Sequence, residues 1–260
     1  MSLPEFRMTL RLRVISTASA AFGLIFMLLA VGALFPAVGH TIGRLNIPKG
    51  VSELLGGADY GTITGWYRSE VGSIYGPLVI GALAITGATA TTAGEEEDRI
   101  LALVLAHPIE RWRLLVSKAA AIALVVVTTA LATWVGLLAG VAVGGGGISA
   151  GHLGAFCIQL AFFGFATGAL ALAIAAGTGR RALANGAAAG VAIVGWLING
   201  FAPLVGAITW MKYLSLFHYY AAGDPLSRGI DAGGLIVLGV FSLLLAAVAI
   251  VGLQRRDLRG

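Results

Sequence analysis

The sequence predicts an all-α polytopic membrane protein with six transmembrane helices. Two observations carry the prediction. The chain of 260 residues is 58% apolar and 11% charged, with a mean hydropathy of +0.92, whereas a soluble domain carries roughly 25% charged residues. The charges are also gathered into clusters, separated by uncharged intervals that fit one or two helices of about 20 residues each, the length that crosses lipid.

Residues 1–16 come first. Arg7, Arg11 and Arg13 alternate with Phe6, Met8, Leu10, Leu12 and Val14, which suits an interfacial helix on the inner leaflet; a positively charged tail is the plainer alternative. The apolar stretch behind it, 17–38, is longer than the core of a secretory signal and closes on no small-residue cleavage site, so it is expected to stay as the first span.

Residues 71–92 form the second span. The uncharged run from Ala119 to Gly179 holds 61 residues and fits two spans, 116–141 and 152–176, broken at Gly144 to Gly147. Spans 183–205 and 232–253 complete one transmembrane domain over residues 1–260. Lys and Arg accumulate on cytoplasmic segments; the tail, the loop from Ala93 to Lys118, Arg180-Arg181 and the C-terminus carry 12 of them against five on the other face. Both termini are therefore expected inside, with the chain in the cytoplasmic membrane and no nucleic-acid partner, the basic residues being punctuation between spans.

Several function classes lack their residues. No Asp, Glu, Lys or Arg stands well inside a span, which counts against an ion-coupled carrier. His40, His107, His152 and His218 are scattered and Cys157 is the single cysteine, so neither a metal site nor a catalytic residue is assigned. No GxxxxGK[ST] loop exists to cradle a nucleotide; if ATP drives the protein, another polypeptide binds it. Thr86, Thr89, Thr128, Thr129, Thr133, Gln159, Asn185 and Asn199 are polar groups within spans, available as interhelical hydrogen bonds or as pathway lining. Gly136/Gly140, Gly164/Gly168 and Gly186/Gly190 are small-residue pairs suited to close helix packing.

The most informative stretch is TAGEEEDRILALVLAHPIERWRLLVSK, Thr92 to Lys118, the one large inner loop. Glu95, Glu96, Glu97 and Asp98 are expected to open a helix and complement its dipole. An apolar run from Ile100 to Leu105 follows, and Pro108 ends that helix and starts the next. Such a segment is either a docking surface for a soluble partner or a loop packed on its own spans.

This stretch resembles the first cytoplasmic loop of ABC type-2 transporter permeases, in which an acidic triplet precedes a short coupling helix and a Pro-hydrophobic-x-Arg segment. The resemblance extends through PKGVSELLGGADYGTITGWYRSEVGSIYGP, YLSLFHYYAAGDPLSRGIDAGG and the final LQRRDL, essentially the whole chain; Asp98-Arg99-Ile100-Leu101 departs from the Gly-Thr pair of many members. It implies a permease without enzymatic activity, served by two cytosolic ATPase subunits that hold ATP and Mg, and paired with a second permease copy or relative. Glu95, Glu96 and Glu97 take the acidic position. Asp98, Arg99, Ile100, Leu101, Leu103, Val104 and Leu105 make the coupling helix, and Pro108, Arg111 and Trp112 the elbow. Thr86, Thr89, Trp196 and Asn199 are assigned to the pathway, with the aromatic residues from Trp210 to Tyr220 as an outer gate or an interfacial belt. The implied activity is export of a hydrophobic or amphipathic drug, lipid or peptide; the alternative is a membrane anchor for a cytosolic ATPase.

Overall fold

A computed structural model describes residues 3–39, 41, 59–100 and 110–256. The described residues form helices and no strands, and six of the helices are long and apolar enough to cross a membrane. They are α1 (Leu3–Leu34, prolonged by a wide π turn at Phe35–Gly39), α2 (Ile63–Glu97), α3 (Arg111–Val143), α4 (Ala150–Thr178), α5 (Arg181–Phe201) and, after two short helices α6 (Leu216–Ala221) and α7 (Pro225–Arg228), α8 (Ala232–Arg255).

Local chemistry sets the ends. The α3–α4 turn falls on the glycine run, where Gly145, Gly146 and Gly147 all take positive φ, at +104°, +78° and +111°, a conformation that side chains with a Cβ resist. Ser149 then caps α4, its Oγ accepting from His152 N at 3.2 Å, and Asp231 caps α8 through Gly233 N at 3.1 Å.

One expectation changes. The sequence predicts a separate interfacial helix over 1–16, but from Leu3 onward the segment runs unbroken into the first span. Nothing in Ser16-Thr17-Ala18-Ser19-Ala20-Ala21 stops a helix, and the only nearby proline, Pro4, sits in the first turn, where it is tolerated.

α2, α3 and α4 form the core, while α1, α5 and α8 each cover only about a fifth of their most apolar stretch, at 22%, 22% and 17%. The uncovered apolar residues, such as Phe22, Phe26, Ile193, Leu243 and Leu244, suit a lipid surface. Lipid tails supply no hydrophobic force between helices, so contact rests on close packing and hydrogen bonds. α1 lies on α3 through Gly32, Gly136 and Gly140, where an added Cβ at Gly140 would overlap the Leu28 carbonyl and Tyr67 Oη. Tyr67 Oη also donates to Leu28 O at 3.1 Å, and Trp66 Nε1 to Val31 O at 3.0 Å. Gly164 and Gly168 likewise face Ile80, Val126 and Ala84, but Gly186 and Gly190 face open space.

Gly140→Leu is expected to part α1 from α3 and cost on the order of 1–3 kcal/mol or more. Gly23→Leu, at an exposed site on α1 with nothing within 4 Å, should leave stability unchanged. Thermal unfolding of the two variants in neutral detergent checks the contrast.

Candidate functional site

The acidic triplet lies where α2 ends. The helix widens into π turns at Ala90–Gly94 and continues through Glu95–Glu97, and Arg99 closes it in the left-handed region at φ +59°. Glu95, Glu96 and Glu97 therefore do not open a new helix as expected, whereas Asp98 lies in the turn just before Ile100, which is again helical. Glu95 to Glu97 occupy the last turn of α2, the end whose dipole disfavours negative charge, and each is compensated by a different helix.

Glu95 forms an ion pair with Lys118 of α3, whose side chain is 1% exposed and whose Nζ also donates to Thr91 O at 2.6 Å. Glu96, 4% exposed, pairs with Arg256 just past the end of α8. Glu97 Oε1 accepts from the backbone N of Arg181 at 2.9 Å. That bond places a carboxylate at the start of α5, where backbone N–H groups lack helical partners and Arg180 provides no side-chain cap.

A third cation closes the arrangement. Arg111 Nη1, in the first turn of α3, donates to Leu253 O at 3.1 Å and Arg256 O at 2.9 Å, satisfying carbonyls that the end of α8 leaves free. Beneath lies Gly179, the left-handed cap of α4 at φ +62°, so close that an added Cβ would overlap the Arg256 guanidinium. Five helices thus meet in one charged knot.

The knot also takes in the described residues on either side of the expected coupling segment. Leu101, Leu103, Val104, Leu105 and Pro108 lie outside the described residues, but the flanks are described: Glu95, Glu96 and Glu97 before them, Arg111 after them. Asp98 and Ile100 are exposed. Trp112 is also exposed, with the Arg113 guanidinium 5.4 Å from its ring centroid.

Lys118, Gly179 and Arg256 are the members that sequence reasoning missed. Lys118 had a signal, a cation flanked by Leu115 and Val116 on one side and Ala119 to Leu124 on the other, which needs a carboxylate if it is buried. Gly179→Val is expected to cost on the order of 2–4 kcal/mol, from its left-handed backbone and its overlap with Arg256. Gly177→Ala, with nothing within 4 Å, serves as the neutral comparison in the same unfolding measurement.

The four residues assigned to a pathway do not converge. Thr89 is buried and its Oγ1 donates to Asn185 Oδ1 at 2.7 Å, a bond between α2 and α5. Thr86 lies exposed nearby, its carbonyl accepting from Arg13 Nη2 at 3.2 Å. Trp196 and Asn199 sit at the opposite end of the bundle, on the wall of a cavity of about 240 Å³ bounded by α2, α5, α6 and α7. Around it Phe163, Phe217 and Tyr220 pack with ring centroids 4.8 to 6.0 Å apart, and Tyr220 Oη donates to Gly72 O at 3.1 Å.

No curated protein sequence matches the chain. A family model described as "ABC-2 family transporter protein" matches residues 3–258.

Proposed function

We propose a function from one premise: the chain belongs to the ABC-2 family of transporter proteins. With its six membrane-capable helices it is a multi-pass permease of the cytoplasmic membrane, a subunit without a nucleotide-binding domain that works with an ABC ATPase. Beyond that premise, the reading is an exporter of a hydrophobic or amphipathic substrate. Two cytosolic ATPase subunits holding ATP and Mg serve it, and a second permease copy or relative completes the pathway.

The observation that supports this reading is the charged knot. Segment 101–109 is the proposed contact with the ATPase, and both of its flanks are tied to helix ends: Glu95 to α3, Glu96 and Arg111 to the end of α8, Glu97 to the start of α5. A push on the segment is then delivered to several helices at once, through the ion pairs and hydrogen bonds that join its flanks to their ends. On this reading the knot faces the cytosol with both termini, and the cavity at Trp196 and Asn199 lies on the outer side. The uncovered faces of α1, α5 and α8 are where a second permease copy would lie.

The test is purification from native membranes in mild detergent, followed by reconstitution in lipid. A stoichiometric ATPase subunit whose hydrolysis the permease modulates is the expected result. A co-purifying ATPase whose rate is indifferent to the permease would make the chain an anchor, and no ATPase at all would contradict the reading.

A further inference from the structure

We infer that the cavity bounded by α2, α5, α6 and α7 binds an amphipathic anion, a carboxylate, phosphate or sulfonate carried on an apolar body. This names the substrate class of the proposed exporter and rests on that reading only for its role in transport; binding itself requires no ATPase.

The cavity offers more hydrogen-bond donors than it uses. Lys212 is half-buried on its wall and, among the described residues, pairs with no carboxylate; its ammonium stands 5.1 Å from the Tyr213 ring centroid. Trp196 Nε1 is buried without an acceptor, and a buried unpaired N–H costs roughly 1–3 kcal/mol until something fills it. Asn199 adds an amide to the same wall.

The acidic side of the account is mostly spent. Asp224 stands at the N-cap position of α7 yet its side chain caps nothing there; held in the left-handed region at φ +50°, the carboxylate pairs instead with Arg68 of α2 at 3.1 Å. Strained backbone of this kind persists where surrounding structure fixes it, often at ligand clamps. Asp224 Oδ1 remains without a partner, but the carboxylate as a whole is neutralised by Arg68. Burial, reinforced by Lys212 and opposed by Asp231, pushes the His218 pKa below its ordinary value, so the imidazole is neutral at pH 7.

Arg68 and Lys212 against Asp224 leave one net positive charge among the lining residues. Phe156, Phe217, Pro203 and Leu226 supply the apolar wall. One excess cation, an unfilled indole N–H and an aromatic floor together match an oxyanion on a hydrocarbon body.

The experiment photolabels the full chain in neutral detergent with a diazirine-bearing dodecanoate and maps adducts by mass spectrometry. Adducts are expected between Trp196 and Arg228, competed by excess dodecanoate or by phosphatidylglycerol and not by dodecanol or dodecyltrimethylammonium. Competition by phosphatidylglycerol assigns the anion to a lipid headgroup, and competition by dodecanoate alone to a free amphipath. Lys212→Ala should weaken labelling about tenfold, the loss of one charge-assisted hydrogen bond, and Lys212→Arg should retain it. Dodecanol competing as well as dodecanoate, preference for the cationic probe, or full labelling of Lys212→Ala in a protein with wild-type unfolding temperature would each overturn the proposal. Because no ATPase is present, these results stand apart from failure of the exporter reading.

Discussion

Glu95→Ala lowers the unfolding temperature of the detergent-solubilised protein sharply, by the equivalent of about 3–5 kcal/mol, while Glu95→Ala with Lys118→Met recovers most of the loss. The expectation follows from burial. Lys118 is 1% exposed and its ammonium has two partners, Glu95 and Thr91 O; removing the carboxylate strands a charge that bulk water cannot reach. Breaking a buried pair from one side is costly, whereas replacing both partners with apolar groups is often neutral. Equal destabilisation by the single and double variants would show that Lys118 is not held by Glu95.

Arg256→Ala is the second large effect. It leaves Glu96, 4% exposed, without the guanidinium that neutralises it, and it severs the side-chain link between the end of α2 and the end of α8. Arg111 keeps its bonds, because it donates to the Leu253 and Arg256 backbone carbonyls. The expected phenotype is therefore specific: a folded permease in which segment 101–109 is still tied to α8 through Arg111 but no longer through Glu96, while Glu95 and Glu97 keep their links to α3 and α5. Glu96→Gln should reproduce it, and the double variant should be no worse than either single, as members of one pair are non-additive. Fully additive losses would mean that the two residues act separately.

The spans were legible because lipid imposes a length and excludes charge, so gaps between charged clusters translate into helices. The α3–α4 turn was legible because Gly145, Gly146 and Gly147 adopt a backbone that other residues avoid. The N-terminal boundary was not, since alternating Arg and apolar residues look alike in a helix lying on a membrane and in one entering it.

The acidic triplet shows the limit most clearly. Its composition and neighbours mark it as unusual, but its partners Lys118, Arg181 and Arg256 lie up to 160 positions away, and only the packed helices bring them together. Without them Glu95 to Glu97 read as a helix start, where the dipole would welcome them; with them the triplet is a helix end neutralised from three sides. Trp196 and Asn199 share the outer cavity because α5 presents both at one end, whereas Thr86 and Thr89 lie toward the knot and Thr89 is engaged with Asn185. Helical spacing alone does not reveal which polar residue a neighbouring helix already satisfies.

If the charged knot passes ATPase motion into the spans, ATP hydrolysis in lipid reports it. The rate is measured for the ATPase alone, with wild-type permease and with the Arg256→Ala permease. Wild-type permease is expected to change the rate severalfold, and the variant to co-purify with the ATPase still but leave its rate at that of the ATPase alone. A variant that assembles and modulates hydrolysis as the wild type does would contradict this coupling.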